Sequence, residues 1–445
     1  MVWDVVVVGG GPAGLFAAIS AAEAGARALV LERMPTPARK LLTSGGGACN
    51  LTHEGEIADL LAHYGGGDRP GDAGRFLRPA LYAFSNTDLV HWCAQRGVPL
   101  AGDPAGRVFP CSRRAGDVLD LLLAEARWRR VELRTGVRVR SVRVERSRFV
   151  VVGSLDGELV VEGKTVVLAT GGRSYPSLGA TGDGYRLAVS LGHSVVPPRP
   201  ALVPLRIERE TFAPFTPCAG VSLSTALSLV RGSTRVAGGH GEILFTHRGL
   251  SGPAVLDLSR HVLPGDVVRV GLLPGAGDLP ATEARLAAEI AAHGKRTVTN
   301  LLQGMGMVAC LARALVSSVG LDGGTKAAEL RRDVRHTLAA SLAAGGEGGH
   351  PFPVRSVGGW TEAMVTAGGV RLTEVDPKTM GSRLVPGLFF AGEILDVDGD
   401  TGGYNLQAAF STGRLAGRSA AEVAHTRRGV HRPKTKRRRG TGLPG

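Results

Sequence analysis

The segment VVVVGGGPAGLFAA constrains this chain more than any other, because an apolar strand runs directly into Gly9-x-Gly11-x-x-Gly14 and then into a helix of small residues. A second apolar stretch, ALVLE, ends in Glu32, 18 residues after Gly14. That order predicts a βαβ unit built to hold a dinucleotide. Gly9 permits the tight turn, Gly11 lets backbone approach a pyrophosphate, and Gly14 lets the helix pack closely on the strand. The phosphates would rest on the helix N-terminus, where unpaired N–H groups and the macrodipole favour negative charge. Glu32 is placed to accept hydrogen bonds from the ribose hydroxyls of an adenosine. A glycine triplet alone says little in a chain with 65 glycines, so the reading rests on strand, helix and acid occurring together.

Length and charge set the outer limits. With 445 residues, 43% of them hydrophobic, the chain can bury two sizeable cores. No apolar run approaches the roughly 20 residues needed to cross a bilayer, and the N-terminus begins with the strand itself, so a cytoplasmic protein without membrane contact is expected. Five cysteines (Cys49, Cys93, Cys111, Cys218 and Cys310) are widely spaced and form no C-x-x-C, which suggests neither a disulfide framework nor a zinc site. The net charge is +14, but the tail TRRGVHRPKTKRRRGTGLPG carries eight Lys/Arg and no acid, leaving +6 on the body. Such a tail is most simply a solvated extension, with an arm for nucleic acid as the alternative.

Along the chain, ARKLLTSGGGACNLT (38–52) is too glycine-rich for regular structure, and a glycine- and charge-rich excursion including GGGDRPGDAG follows. Helices are expected around Asn86 to Gly97 and from Ala115 to Trp128, the latter with Leu119, Leu122, Leu123 and Ala126 on one face. From Val131 to Leu168 alternation predicts a small meander with turns at SRF, LDG and EGK, returning to a parallel sheet at Val166–Ala169. Composition shifts near His193. The proline-rich VVPPRPALVPL should be extended, leading into short strands between Leu205 and Leu273 and a helical run from Ala281 to about Ala344. GLFFAGE (387–393) then reads as another sheet strand, and the segment from TGGYNLQ onward as a closing helix.

Two further glycine-rich segments end strands or begin helices: Leu168-Ala-Thr-Gly-Gly172, and Phe389-Phe-Ala-Gly-Glu393 followed by Asp400-Thr-Gly-Gly-Tyr-Asn-Leu-Gln407. Each alone could be an ordinary turn or cap. Their recurrence at strand ends favours a shared ligand.

Together with KLLTSGGGACN, ATGGRSYPSLGATGDGYRLA, FTHRGLSGPAVLDLS, EAMVTAGGV and PKTMGSRLVPGLFFAGEILDVDGDTGGYNLQAAFSTGRLAG, these segments resemble the BaiN/RdsA family of FAD-dependent oxidoreductases, also called the aminoacetone-oxidase family, over nearly the whole chain. The resemblance implies an α/β fold with a Rossmann-like FAD-binding domain (1–192 and 353–425), an inserted β-barrel plus helical domain (193–352), and a basic tail (426–445). It also implies an FAD site lined by Gly11, Ala13, Glu32, Arg33, Lys40, Ser44, Gly47, Asn50, Val139, Gly172, Gly392, Asp400, Asn405, Gln407 and Ala408. Gly9 and Gly14 of the fingerprint and Glu393 at the end of its strand complete the expected set. One departure is Ala48, where the family usually carries arginine before the cysteine of GGGxCN.

Beyond the flavin, the chemistry is less constrained. His247 and Arg248, in a glycine-bounded turn, could serve as proton donor and anion clamp, or be a solvated loop; Tyr404 could also handle a proton. Cys49 has no partner for a redox disulfide and is read as packing. Asp396, Asp398 and Asp400 are read as neighbours of the flavin and not as metal ligands. A second strand–GxGxxG–helix unit is missing, so NADH or NADPH either visits the flavin transiently or reduction comes from the substrate itself. The expectation is a flavin enzyme transferring hydride or electrons to or from a small organic substrate, with a flavin-containing RNA-binding or RNA-modifying protein as the alternative; family members have been linked both to amine oxidation and to reduction of conjugated steroid double bonds. Oligomeric state is left open.

Overall fold

The computed structural model describes all residues except 156, 346–347 and 430–445, with backbone alone for 427–429. Most of the basic tail therefore lies outside the described residues. Strand β1 (Val2–Val8), helix α1 (Pro12–Glu23) and strand β2 (Ala28–Leu31) form the opening unit, β1 and β2 pairing in parallel from Val5 opposite Ala28 to Val8 opposite Leu31. Both strands are buried on both faces, which is why they read as unbroken apolar runs. The main sheet has nine strands. Outward from β1 on one side lie β2 and Glu132–Arg134; on the other lie Glu158–Leu168, Leu388–Phe390 and two short antiparallel edge strands.

The strand Glu158–Leu168 corrects the expected turn at EGK: it runs unbroken through Gly163. Its first half pairs antiparallel with Phe149–Ser154, and its second half pairs parallel with β1. Gly163 sits where the two pairings meet, opposite Trp3, and a Cβ there would stand 2.7 Å from the Val6 side chain. The glycine therefore admits a close neighbour within the strand instead of ending it. Two other expectations of irregular structure are also corrected. Arg39–Thr43 is a short helix inside the first glycine-rich loop. Within the later excursion, Asp72–Ala83 is a three-turn helix that buries Phe76, Leu77, Ala80 and Leu81. On the Ala115–Trp128 helix the buried stripe includes Leu121, while Leu123 is only half-buried.

The closing helix, Tyr404–Gly429, packs along α1 through a glycine seam. A Cβ at Gly413 would come within 2.5 Å of the Ala13 carbonyl oxygen, and one at Gly417 within 2.0 Å of that of Ala17. Only glycine lets the two backbones approach this far.

The chain leaves this layered unit through Val195–Ala201 and returns through Val365–Val370, which pair antiparallel as a two-stranded ribbon. Between them six strands close a barrel in the order Leu205–Ile207, Gly249–Ser251, Thr234–Phe245, Ser222–Arg231, Val267–Val270 and His350–Val357. The barrel holds a cluster of Phe212, Phe215, Phe245 and Phe352. This core continues into helices Leu279–His293, Val298–Gly304, Ala309–Ser318 and Arg332–Leu342, and is separate from the core around the main sheet.

Candidate functional site

The glycine loop after β1 takes the geometry a phosphate needs. Gly9 has φ +108°, and a Cβ on it would lie 2.4 Å from the Ala169 carbonyl oxygen; one on Gly14 would lie 1.9 Å from that of Gly9. Gly11 is the N-cap of α1, makes no side-chain cap, and has open space where its Cβ would be. With Pro12 at the first helical position and no acid in the first turn, the N-terminal N–H groups of α1 around Ala13 are left for an anion.

Glu32 holds the loop from the next strand. Its carboxylate accepts the Gly10 N–H at 2.6 Å through Oε2 and the Met34 N–H at 2.7 Å through Oε1. An ionised carboxylate has about four lone-pair sites, so two remain for ribose hydroxyls. Beside it opens a cleft lined by Gly9, Arg33, Val139, Thr170 and Gly182. Arg33 is fixed there by donating to the Gly179 carbonyl at 2.7 Å and the Thr181 hydroxyl at 3.0 Å.

The second glycine loop is left-handed almost throughout: Gly45, Gly46, Gly47 and Cys49 have φ of 56°, 65°, 91° and 59°. Ser44 donates its hydroxyl to the Leu41 carbonyl and accepts the Cys49 N–H on its own carbonyl. Cys49 is buried, and desolvation pushes its thiol up to about 11, which suits packing and not thiolate chemistry. The sequence left Lys40 and Glu393 as separate positions, and the structure joins them. The Lys40 ammonium lies 2.6 Å from Glu393 and donates to the Ser174 hydroxyl at 2.6 Å, while Glu393 also accepts the Thr366 N–H at 2.8 Å. Gly172 is required beside this network because a Cβ would fall 2.2 Å from the Thr366 hydroxyl.

The third segment completes the wall. Gly392, with φ +74°, donates its N–H to Thr412 on the closing helix, and a Cβ there would lie 2.8 Å from Ala13. Asn405 clasps Gly399, accepting its N–H and donating to its carbonyl, each at 2.8 Å. Gln407 and Ala408 are buried one turn further along. The buried oxygens Asn50 Oδ1, Thr52 Oγ1, Thr170 Oγ1 and Gln407 Oε1 have no hydrogen-bond partner. Unpaired buried oxygens after the second glycine loop (Asn50, Thr52), beyond the Glu158–Leu168 strand (Thr170) and on the closing helix (Gln407), together with an uncapped α1, fit a polar planar cofactor lying between them.

A cluster that the sequence did not reveal joins this wall to the barrel. Arg260, buried at the end of the helix Pro253–Leu258, is ion-paired with Asp398 at 3.2 Å and hydrogen-bonds Asp400. Asp257 accepts the Thr401 N–H at 2.6 Å and its hydroxyl at 3.0 Å; burial and the nearby Asp400 charge push its carboxyl up to about 6. His63 places Nδ1 2.8 Å from Asp400, and its ring stacks on Tyr404 with centroids 4.4 Å apart. His53 stacks on the same ring at 5.1 Å. Tyr404 is pushed up to about 12 by burial and the charges of Asp400 and Asp257. His247 and Arg248 stand exposed in the barrel hairpin between Phe245 and Gly249, so the rings brought onto Tyr404 are His53 and His63. Asp396, meanwhile, accepts the Gly67 N–H at 3.0 Å. Among the described residues no group of three or more His, Cys, Asp or Glu is arranged to hold a metal ion.

A family profile described as "HI0933-like protein Rossmann domain" matches residues 3–419. The chain belongs to this HI0933-like family. Membership makes it an FAD-dependent oxidoreductase with a Rossmann-type α/β fold. It is 34% identical over 430 residues to a 3-dehydro-bile acid delta(4,6)-reductase of Clostridium scindens, covering 94% of this chain and 98% of the relative. It is 33% identical over 419 residues to a ribosomal RNA dihydrouridine synthase of Escherichia coli, covering 92% and 96%. Its fold is also similar to the crystal structure of 3-ketosteroid-delta4-(5alpha)-dehydrogenase from Rhodococcus jostii RHA1, with TM-score 0.51, 20% identity, and 94% and 96% of the two chains covered. Among the described residues no helix is long and apolar enough to cross a membrane.

Proposed function

We propose that this protein is an FAD-dependent reductase of a carbon–carbon double bond conjugated to a carbonyl in a small organic substrate. One observation carries the reading. Two relatives, each similar over more than nine-tenths of this chain, are named for substrates of very different shape that share one reacting unit. A 3-oxo bile acid with 4,6-unsaturation is a conjugated dienone, and the uracil ring that becomes dihydrouridine carries its double bond next to a carbonyl. FAD supplies two-electron transfer to such a bond.

The chain's own residues hold and tune the site. Gly9, Gly11, Ala13 and Gly14 receive the pyrophosphate, while Glu32, Arg33 and Val139 enclose the adenosine. Lys40, Ser44, Gly47, Asn50, Gly172, Gly392 and Glu393 form one side of the flavin wall; Asp400, Asn405, Gln407 and Ala408 form the other. The N-terminus of the closing helix at Gly403–Tyr404 stabilises negative charge developing nearby. Residues 1–192 with 353–425 make the FAD domain, and 193–352, barrel plus helices, covers it. Tyr404 faces the junction, and His247 and Arg248 lie on the barrel side to meet substrate entering from solvent. With one dinucleotide fingerprint in the chain, NADH or NADPH acts as a transient donor.

The test is anaerobic. Purified yellow protein is mixed with NADH or NADPH, and then with a 4-en-3-one steroid, a smaller cyclic enone, or uridine-containing ribosomal RNA. Bleaching followed by return of the flavin absorbance with an enone supports the proposal; return with RNA alone supports the second reading, an RNA-modifying enzyme, which the dihydrouridine synthase relatives favour. Flavin reoxidised by neither would refute both.

A further inference from the structure

We propose that His63, oriented by Asp400, donates the proton that completes reduction of the substrate's double bond. The inference rests on the reductase reading and supplies its missing acid. Adding hydride to the β-carbon of a conjugated carbonyl leaves an electron pair shared between the α-carbon and the carbonyl oxygen. The α-carbon then needs a proton, and flavin accounts for the hydride alone.

His63 is built for that role by backbone and side chain together. Tyr64–Gly65 pairs antiparallel with Asp398–Gly399, and the Asp400 N–H donates to the His63 carbonyl at 3.0 Å. This short ladder sets the Asp400 carboxylate 2.8 Å from Nδ1. A carboxylate only accepts, so Nδ1 carries its hydrogen in both charge states and Nε2 is the nitrogen that gains and loses a proton. The ring is held flat on Tyr404, with planes 19° apart, at the N-terminus of the closing helix. Asp400 and Asp257 raise the imidazole's affinity for the proton, burial and Arg260 lower it, and the balance is upward. With 44% of its side chain exposed, His63 can be recharged from water.

In the step, the Nε2–H bond breaks and a C–H bond forms at the α-carbon from the electron pair left by hydride addition. The imidazole is left neutral, with Nδ1–H still on Asp400, and recovers its proton from solvent. Tyr404 is the competing donor, but its elevated proton affinity makes it the poorer acid.

The experiment compares wild type, His63→Ala, Asp400→Asn and Tyr404→Phe as full chains loaded with FAD. Flavin reduction by NAD(P)H should be unchanged in His63→Ala, while reoxidation by an enone slows about 100-fold or more. Free imidazole should restore part of that rate, which a purely structural role would not permit. In wild type, reoxidation should fall as pH rises through the His63 pKa. NMR titration of the His63 ring should place that pKa above the ordinary histidine value and show it falling in Asp400→Asn. Reoxidation of His63→Ala within about threefold of wild type, or a larger loss in Tyr404→Phe, would overturn the assignment while leaving the reductase reading intact. If no conjugated carbonyl reoxidises even the wild-type flavin, the reductase reading falls and the inference with it.

Discussion

Replacing Glu32 with glutamine tests the dinucleotide site at the residue that braces its glycine loop. In the chain as it stands, the carboxylate accepts two backbone N–H groups, from Gly10 at 2.6 Å and Met34 at 2.7 Å. Glutamine has nearly the same shape but one acceptor oxygen and an NH2 that cannot accept. One of the two backbone donors therefore loses its partner, and the ribose loses a charged acceptor. Hydrogen bonds to a charged group contribute about 1.5–3 kcal/mol each, so FAD binding should weaken by that amount, roughly 10- to 150-fold in Kd. The assay is titration of the apoprotein with FAD, followed by flavin fluorescence or calorimetry. Because Glu32 braces the glycine loop before any ligand arrives, the thermal midpoint of the apoprotein should fall as well. A Kd within twofold of wild type would refute the reasoning and mean that the ribose is held elsewhere.

Three other outcomes are expected. Gly417→Ala pushes a methyl to within 2.0 Å of the Ala17 carbonyl oxygen, so α1 and the closing helix must move apart; overpacking of this kind costs about 1–3 kcal/mol and should lower the melting temperature and loosen FAD. Arg260→Ala strips Asp398 and Asp400 of their buried counter-charge and should destabilise the protein by about 3–5 kcal/mol, read from denaturant midpoints, whereas Arg260→Ala combined with Asp398→Asn should recover part of that loss. His350, buried beside Phe215 and Phe352, is pushed down to about 4 by desolvation, so the unfolded chain takes up its proton first as pH falls. The stability of the neutral folded form is present above the ordinary histidine pKa and is lost between about 6.5 and 4, by roughly 3 kcal/mol, and this dependence should disappear in His350→Asn.

What could be read from the sequence was local. The opening βαβ unit, the Ala115–Trp128 helix and the Leu388–Phe390 strand are each announced by a period of apolar residues within a dozen positions. Gly163 misled because a glycine between Glu162 and Lys164 has the composition of a turn, while its reason, the Val6 side chain beside it, lies 157 positions away. The helix Asp72–Ala83 was hidden behind the glycines that precede it, although its spacing of Phe76, Leu77, Ala80 and Leu81 is helical. The Lys40–Glu393 and His63–Asp400 pairs are separated by 353 and 337 positions. Each partner had an ordinary local reading, and only the crossing of distant strands and loops gives them a joint one.

The glycine seam between α1 and the closing helix also sets an order of assembly. The pyrophosphate loop leaves the ribosome well before the helix that covers it, Tyr404–Gly429, which carries Gly413 and Gly417. A nascent chain thus exposes an unroofed half-site until that helix is made. Productive capture of the flavin is deferred until the closing helix has emerged, so chains truncated before Tyr404 should remain colourless, and cofactor uptake reports on the docking of that helix.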